Sequence, residues 1–347
     1  MVAMSGGVDS SVAAALLREA GHDVVGVTLK LWGGPSDSGC CSVSDVDDAR
    51  RVAHVLGIDH HVFNYTEEFQ AAVVEPFVAD HAAGLTPNPC IECNRVIKFD
   101  LLFERAKRLG FDAVATGHHA QLESRHGRPH LVRSVDDLKD QSYVLGYLSA
   151  DALSMLMLPV GHLTKSEVRE HAERLGLRTW NKPDSQDVCF IEASAGREAF
   201  LSQRIELTPA RIRDRVTGQD LGTLPAAQLV TLGQRRGVAP GIDGERRFVA
   251  SVDVHSGVVE VDRLENIMIH EVRLVPDSAT FPYEPLVDGE EVVVQWSAHG
   301  RPATVRFDAA TTTLRSETPM RPVAPGQSVV FYDATNTYVR GAARVGR

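Results

Sequence analysis

Through its first half the chain alternates short β-rich apolar runs with stretches of helical periodicity. Residues 10–20 read as a helix stopped by Gly21 and residues 24–31 as a buried strand, which makes a βαβ unit. Asp45 can cap a helix running to about Leu56, residues 60–65 form a short strand, and residues 67–83 return to helical spacing before Gly84 and the Pro87, Pro89 pair. The pattern then repeats: an amphipathic helix over 95–109 closed by Gly110, and a compact strand over 113–116 ending in Gly117, His118 and His119. A further helix opens at Thr164, where Thr164 and Glu167 have the capping-box spacing, and ends at Gly176. This alternation predicts a parallel sheet covered on both faces.

Beyond about residue 215 the period shortens to that of strands. Residues 248–254 and 258–261 flank a His255-Ser256-Gly257 turn, 291–297 and 303–307 flank His299-Gly300, and 327–332 pairs with 337–342. These predicted hairpins imply a small all-β barrel or sandwich at the C-terminus. At 347 residues the chain has room for two or three domains. No apolar run approaches the ~18–20 residues of a membrane span, and no secretory signal pattern opens the chain, so the expected compartment is the cytoplasm, with no membrane partner. The net charge of -10 argues against a globally basic nucleic-acid binder and leaves room for a local basic face. Five cysteines, Cys40, Cys41, Cys90, Cys93 and Cys189, are too few and too scattered for a disulfide scaffold, which favours reactive thiols or metal ligation.

The most specific motif is Ala3-Met4-Ser5-Gly6-Gly7-Val8-Asp9-Ser10-Ser11, placed where a first strand hands over to a first helix. Gly6 and Gly7 permit close backbone approach, and Ser5, Ser10 and the amides at the helix start can donate to phosphate oxygens. Asp9 would repel a bare phosphate and suits Mg²⁺ held against a nucleotide. The bland alternative, a glycine turn with capping serines, does not account for the whole string. That string resembles the signature of the PP-loop ATP pyrophosphatases, whose members cleave ATP between the α and β phosphates and adenylate an oxygen that a nucleophile then displaces.

Two cysteine segments bear on the nucleophile. Pro87-Asn88-Pro89-Cys90-Ile91-Glu92-Cys93-Asn94 is rigid and turn-rich, and Asp184-Ser185-Gln186-Asp187-Val188-Cys189-Phe190 is polar and loop-like. Neither has the look of a buried structural cysteine site. With Gly117-His118-His119-Ala120, Lys139-Asp140-Gln141-Ser142-Tyr143 and Gly233-Gln234-Arg235-Arg236-Gly237, these segments make the chain similar to the tRNA-specific 2-thiouridylases over nearly its whole length. The resemblance implies an α/β fold: a parallel-sheet PP-loop (adenine nucleotide alpha hydrolase-like) domain over 1–193, a small connecting, tRNA-binding domain over 194–262, and a C-terminal β-barrel over 263–347. It implies ATP-dependent 2-thiolation of the wobble uridine, position 34, of tRNA Lys, Glu and Gln, giving 2-thiouridine, AMP and PPi, with a cysteine desulfurase or sulfur-relay protein as donor.

By the same resemblance Cys93 is the nucleophile and Cys189 the persulfide carrier, the two ending as a disulfide that a reductant opens. Leu29 and Gly117 join the residues of the 3–10 loop at ATP. Asn88, Pro89, Cys90, His118, Lys139, Asp140, Gln141 and Gln327 contact tRNA. Many relatives carry aspartate at Cys90, so its base-contacting and proton-transfer role is open. Cys90, Cys93 and Cys189 could instead ligate a 4Fe-4S cluster. The family's barrel contact falls at Ser297 and Ala298, where its usual basic and aromatic residues are missing. Arg204, Arg211, Arg213, Arg215, Arg235, Arg236, Arg246 and Arg247 form a candidate phosphate track. His118 and His119 read as polar loop residues rather than metal ligands, and Cys40 and Cys41 as bystanders. Another PP-loop synthetase, acting on a small metabolite, would have no use for Cys93 and Cys189; a silent tRNA-binding protein would have none for the intact loop.

Overall fold

The computed structural model describes residues 1–32, 42–184, 188–191 and 196–347. The readings of Cys40, Cys41 and residues 185–187 lie outside the described residues. The first strands are β1 (Val2–Ala3), β2 (Val25–Lys30), β3 (Asp59–Asn64) and β4 (Val114–Ala115), followed by β5 (Gln121–Arg125), β6 (Arg128–Val132) and β7 (Leu156–Met157). They form a sheet in the order β3-β2-β1-β4-β7, parallel throughout. β5 and β6 are a separate hairpin turned on His126 and Gly127, both with positive φ as a two-residue turn demands. The expected cover on both faces is present. One core gathers Val12, Ala13, Leu17, Val52 and Val168 from three helices, and the other gathers Val27 and Leu29 with Phe69, Phe77, Phe99 and Phe103.

Helix boundaries follow the caps. The helix Val43–Leu56 is capped by Ser42, with Asp45 at its third position completing a capping box; the cap therefore lies three residues before the expected Asp45. The helix Lys165–Arg174 carries the Thr164 and Glu167 box as expected. Two stretches expected as regular helix are wound more widely in part: Gln70–Val74 and Cys93–Leu101 are π-helical. In the second, this winding turns Cys93, Asn94, Ile97 and Phe99 inward together.

The middle sheet contains β8 (Ala210–Asp214), β9 (Asp220–Leu224), β10 (Phe248–Asp253) and β11 (Val258–Asp262) in the order β10-β11-β8-β9. The C-terminal sheet contains β12 (Ile269–Arg273), β13 (Glu291–Gln295), β14 (Ala303–Asp308), β15 (Thr313–Met320), β16 (Ser328–Tyr332) and β17 (Val339–Arg344), in the order β12-β15-β14-β13-β16-β17. All three expected hairpins are there, as β10–β11, β13–β14 and β16–β17. The six-stranded sheet curls until its outer edges meet in a Leu274–Val345 bridge, which makes the expected barrel-like unit.

The C-terminal sheet shares a core with the first region: Val293, Val330, Tyr332, Val339 and Ala342 belong to the same cluster as Phe77 and Tyr143. Tyr143 Oη donates to Ser328 O at 3.1 Å, and Ser142 Oγ lies 3.0 Å from Tyr332 Oη. At Gly146 a Cβ would stand 2.6 Å from Val330, so the two units touch there with no room for a side chain. Gly146→Val should therefore lower the unfolding free energy by about 1–3 kcal/mol, the range for overpacked cores. Urea denaturation followed by circular dichroism checks this, and an unchanged midpoint would contradict the shared core.

Candidate active site

β1 lies between β2 and β4, and the chain leaves it through Met4, Ser5, Gly6 and Gly7 into the first helix, Val8–Glu19. This is the crevice at the carboxyl end of a parallel sheet where its strand order reverses, the usual ligand position in such folds. Met4 N–H donates to Val27 O, and Thr28 Oγ1 donates to Met4 O, which fixes the exit of the strand beside Leu29. Gly6 has φ +74° and a Cβ on it would stand 2.3 Å from the Asp45 carbonyl oxygen, so glycine is required. Gly117, just after β4, presses on the same turn: a Cβ there would meet Ser10 N at 2.5 Å. The turn is braced from inside, because Ser5 N–H donates to Ser10 Oγ, while Ser10 Oγ and Ser11 Oγ donate to Gly7 O. Gly7 caps the helix without a side chain, leaving the first-turn amides to meet an anion.

Charged groups are arranged tightly around this loop. Lys165 Nζ lies 2.7 and 2.8 Å from the two Asp9 oxygens and 2.8 Å from Asp184, and His119 Nε2 is 3.1 Å from Asp9. Lys139 and Arg169 also reach Asp184. Lys182 holds Gly6 O, Asp45 and Asp48 together. Burial raises the pKa of Asp9, but the His119 hydrogen bond and the Lys165 charge outweigh it and keep the group below its ordinary range. Burial likewise opposes, and Lys139 and Lys165 overcome it, to bring Asp184 to about 2. Lys182 is stabilised as a cation: partial burial lowers its pKa, and the hydrogen bonds to Asp45 and Asp48 raise it further than that. His119 is thus a hydrogen-bonding partner of the loop carboxylate Asp9. His118 Nδ1 lies 2.7 Å from Thr116 Oγ1, and burial, helped by the charge of Lys98, keeps the ring neutral.

The second part of the site is a cleft of about 200 Å³ between the first region and the barrel. One wall is the segment from Thr86 to Cys90, with Tyr143 and Val188 beside it. The other is Trp296, Ser297, Ala298 and Gln327. Asn88 caps the short helix Pro89–Glu92 by accepting from Cys90 N and Ile91 N, and Pro89 sits at its first position, where no amide is needed. Cys90 is exposed, Cys189 is half-buried, and Cys93 is buried among apolar neighbours in the cluster that Cys189 also packs against. The next residue, Asn94, donates to Val144 O, while its Oδ1 and the Nδ1 of His119 are buried with no hydrogen-bond partner among the described residues.

Of the expected tRNA-contacting residues, Asn88, Pro89, Cys90 and Gln327 come together in the cleft. Lys139, Asp140 and Gln141 sit on the loop that joins the two parts. Gln141 Oε1 accepts from His119 N and its own N–H donates to His119 O. Asp140, a half-buried residue whose side chain is 8% exposed, pairs with Arg133 at 2.7 Å and accepts from Ser134 N, Ser142 N and Ser142 Oγ. Arg133 in turn reaches Gln295 Oε1, Asn336 O and Asn336 Oδ1, and Gln295 Nε2 holds the carbonyls of Ser297 and Ala298. The candidate phosphate track needs one correction. Arg247 is buried in a pair with Asp214 at 2.8 Å and with Asp243, so it braces the middle sheet; the other seven arginines are exposed. Sequence reasoning passed over Trp296, although an aromatic beside two small residues in a hairpin was there to be noticed.

Two expected inorganic groups can be tested against these residues. Mg²⁺ accompanying ATP takes one or two carboxylates plus phosphate oxygens, and Asp9 supplies one carboxylate at the loop, provided Lys165 shifts its weight to Asp184. For a 4Fe-4S cluster the fit is poor: no group of three His, Cys, Asp or Glu side chains among the described residues is placed to hold a metal ion.

The strand-turn-helix cradle at a parallel-sheet crevice defines an ATP-using enzyme of the PP-loop class. Residues 1–193 match the family described as tRNA methyl transferase HUP domain. The tRNA-specific 2-thiouridylase MnmA of Saccharopolyspora erythraea is 44% identical over 343 residues, 96% of this chain and 94% of that one. That of Mycobacteroides abscessus is 45% identical over 362 residues, 100% of this chain and 99% of that one. This chain belongs to the tRNA-specific 2-thiouridylase family. Among solved structures, NMN synthetase from Francisella tularensis aligns with a TM-score of 0.33 at 21% identity, covering 53% of this chain and 65% of that one, too distant a likeness to bear on chemistry.

Gly117→Ala should weaken ATP binding about 10- to 100-fold by displacing the helix start, with little change in the far-UV spectrum. Titration calorimetry with ATP measures this; an unchanged affinity would remove Gly117 from the cradle. A second expectation concerns acid. Because the folded pKa of Asp184, about 2, lies below its ordinary 3.8, its ion pairs stabilise the fold fully above about pH 4 and that contribution is lost as pH falls through about 2. Asp184→Asn should cost on the order of 1 kcal/mol at neutral pH, since solvent screens these half-exposed ion pairs, and flatten the decline in stability below pH 4, as read by urea unfolding across that range.

Proposed function

We propose that this chain is an ATP-dependent tRNA-uridine 2-sulfurtransferase acting on the wobble uridine, position 34, of tRNA Lys, Glu and Gln. The observation that carries the reading is the cleft in which the Asn88 to Cys90 segment, the Val188 flank of Cys189 and the barrel residues Trp296 to Ala298 surround one space. It lies one loop, residues 139–141, away from the phosphate cradle.

In the proposed reaction the amides and hydroxyls of residues 3–10 take the ATP phosphates, and Leu29 and Gly117 border the nucleotide. Mg²⁺ neutralises phosphate charge when bound, and Asp9 is the loop carboxylate that can meet it. The uracil 2-oxygen attacks the α-phosphorus and PPi leaves. The terminal sulfur of a Cys189 persulfide then attacks C2, AMP departs, and the base is joined through two sulfurs to Cys189. Cys93 thiolate attacks the Cys189 sulfur, forming a Cys93–Cys189 disulfide and releasing 2-thiouridine; a thiol reductant restores both cysteines. Cys189, at a half-exposed position, receives its sulfur from a cysteine desulfurase or a relay protein. The alternative of a cluster on Cys90, Cys93 and Cys189 gains no support from the placement of these residues. A cytoplasmic site of action accords with a tRNA substrate. No helix among the described residues is long and apolar enough to cross a membrane.

Cys93→Ser and Cys189→Ser should each reduce thiolation by about 10³-fold or more while leaving the fold and ATP binding intact. Mercury-affinity electrophoresis of the tRNA product measures this, and full activity in either variant would overturn the assignment. Cys90→Ser should keep most of the activity by the persulfide route; its loss together with bound iron would establish the cluster route instead.

A further inference from the structure

Residues 188–191 lie in no helix or strand, so side chains must set their place. Ile191 N–H donates to Val188 O at 3.0 Å and closes a four-residue turn with Cys189 and Phe190 at its centre. Val188 lines the cleft, Cys189 is half-buried, and Phe190 is 3% exposed. The Phe190 ring enters a box of four others. Its centroid lies 5.2 Å from that of Phe200, 5.3 Å from Phe77, 5.7 Å from Phe69 and 6.1 Å from Trp32, all edge-on or tilted, the arrangements that ring quadrupoles favour. The walls come from four stretches of chain: Trp32 follows β2, Phe69 closes the helix Thr66–Phe69, Phe77 lies on Glu75–Ala82 and Phe200 on Gly196–Ser202. Trp32 and Phe77 also meet Phe200, at 6.4 and 6.3 Å, so the walls brace one another. A buried ring on a helix or strand serves the packing of that element. Phe190 belongs to neither, and the residue it carries with it is Cys189.

We propose that Phe190 is the positioning residue for Cys189. In a closed turn the two central residues move together, so a ring held by four others fixes the Cα that carries the Cys189 sulfur, one residue from the cleft wall at Val188. A sulfur that is loaded by one partner and handed to another gains its rate from placement, and a misplacement of about 1 Å can cost about 100-fold. The aromatic box supplies that placement from the apolar side of the turn and leaves the thiol itself half-buried. This inference rests on the thiolation reading above and adds to it the group that aims the sulfur carrier.

The test uses the full chain and two readouts: thiolation kinetics, and the rate at which iodoacetamide alkylates Cys189, resolved from the other cysteines by peptide mass spectrometry. Phe190→Leu keeps an apolar side chain but removes the ring. It should lower kcat about 10- to 100-fold, with KM for tRNA and affinity for ATP unchanged, and should speed Cys189 alkylation about threefold or more as the half-buried thiol comes loose. Trp32→Leu opens one half-buried wall of the box and puts less of the fold at stake; it should speed alkylation in the same direction by a smaller factor. Phe331→Leu, in the separate core of the barrel, controls for general loosening: it should lower the thermal midpoint and leave Cys189 alkylation at the parent rate. Parent alkylation rates in both Phe190→Leu and Trp32→Leu, a parent kcat in Phe190→Leu, or equal acceleration in Phe331→Leu would overturn the inference. Alkylation needs no tRNA, so it reads the anchor independently; failure of the unmodified protein to make 2-thiouridine would instead overturn the thiolation reading.

Discussion

The ion pair between Arg133 and Asp140 is the joint on which the arrangement of this molecule depends. Both side chains are largely withdrawn from water, so each needs the other: removing one partner of such a pair leaves a buried charge whose cost typically reaches several kcal/mol. Arg133 also lies 3.8 Å over the Tyr332 ring and donates to Asn336 and Gln295, so a single guanidinium ties the catalytic region to two strands and a loop of the barrel. The barrel is held in register with the first region by polar groups that are satisfied only in this docking, over a shared apolar core that supplies adhesion without direction.

From this joint the contacts run in two directions. Toward the barrel, Gln295 fixes the carbonyls behind Trp296 and so shapes one wall of the cleft. Toward the sheet, the residues on either side of Asp140 reach the nucleotide cradle: Gln141 holds His119, which holds Asp9, and Lys139 holds Asp184, which shares Lys165 with Asp9. Acidic and basic groups alternate along this path, so the Asp9 carboxylate is neutralised at the proposed phosphate site. An otherwise acidic chain can thus admit a polyanionic nucleotide.

The parallel sheet and its glycine loop were legible because their information is local: helical spacing, glycine stops and one dense motif. Three of the antiparallel pairings were legible as alternating runs around turns. The strands β12 and β15 were not, since Ile269–Arg273 is short and Thr313–Met320 is largely polar and contains Pro319. The π-helical winding at Cys93 leaves no mark in a sequence whose apolar spacing also suits an α-helix. Partnership over distance was hidden for the same reason: nothing in Arg246-Arg247 says that the second is buried on Asp214, and nothing in Lys139-Asp140-Gln141 says that the middle residue belongs to Arg133. The cleft combines residues more than 200 positions apart, and Trp296 joins its wall only when the barrel is docked.

The account stands on one claim, that the ATP cradle and the cleft between the Asn88 to Cys90 segment and the barrel serve the same uridine. Its most direct test is to follow AMP and 2-thiouridine together in a reaction of the intact chain with ATP, a sulfur donor and substrate tRNA. The two products should appear in equal amounts, and AMP should not form when the tRNA carries a base other than uridine at the modified position. AMP release that proceeds regardless of tRNA, or thiolation that proceeds without ATP, would contradict it.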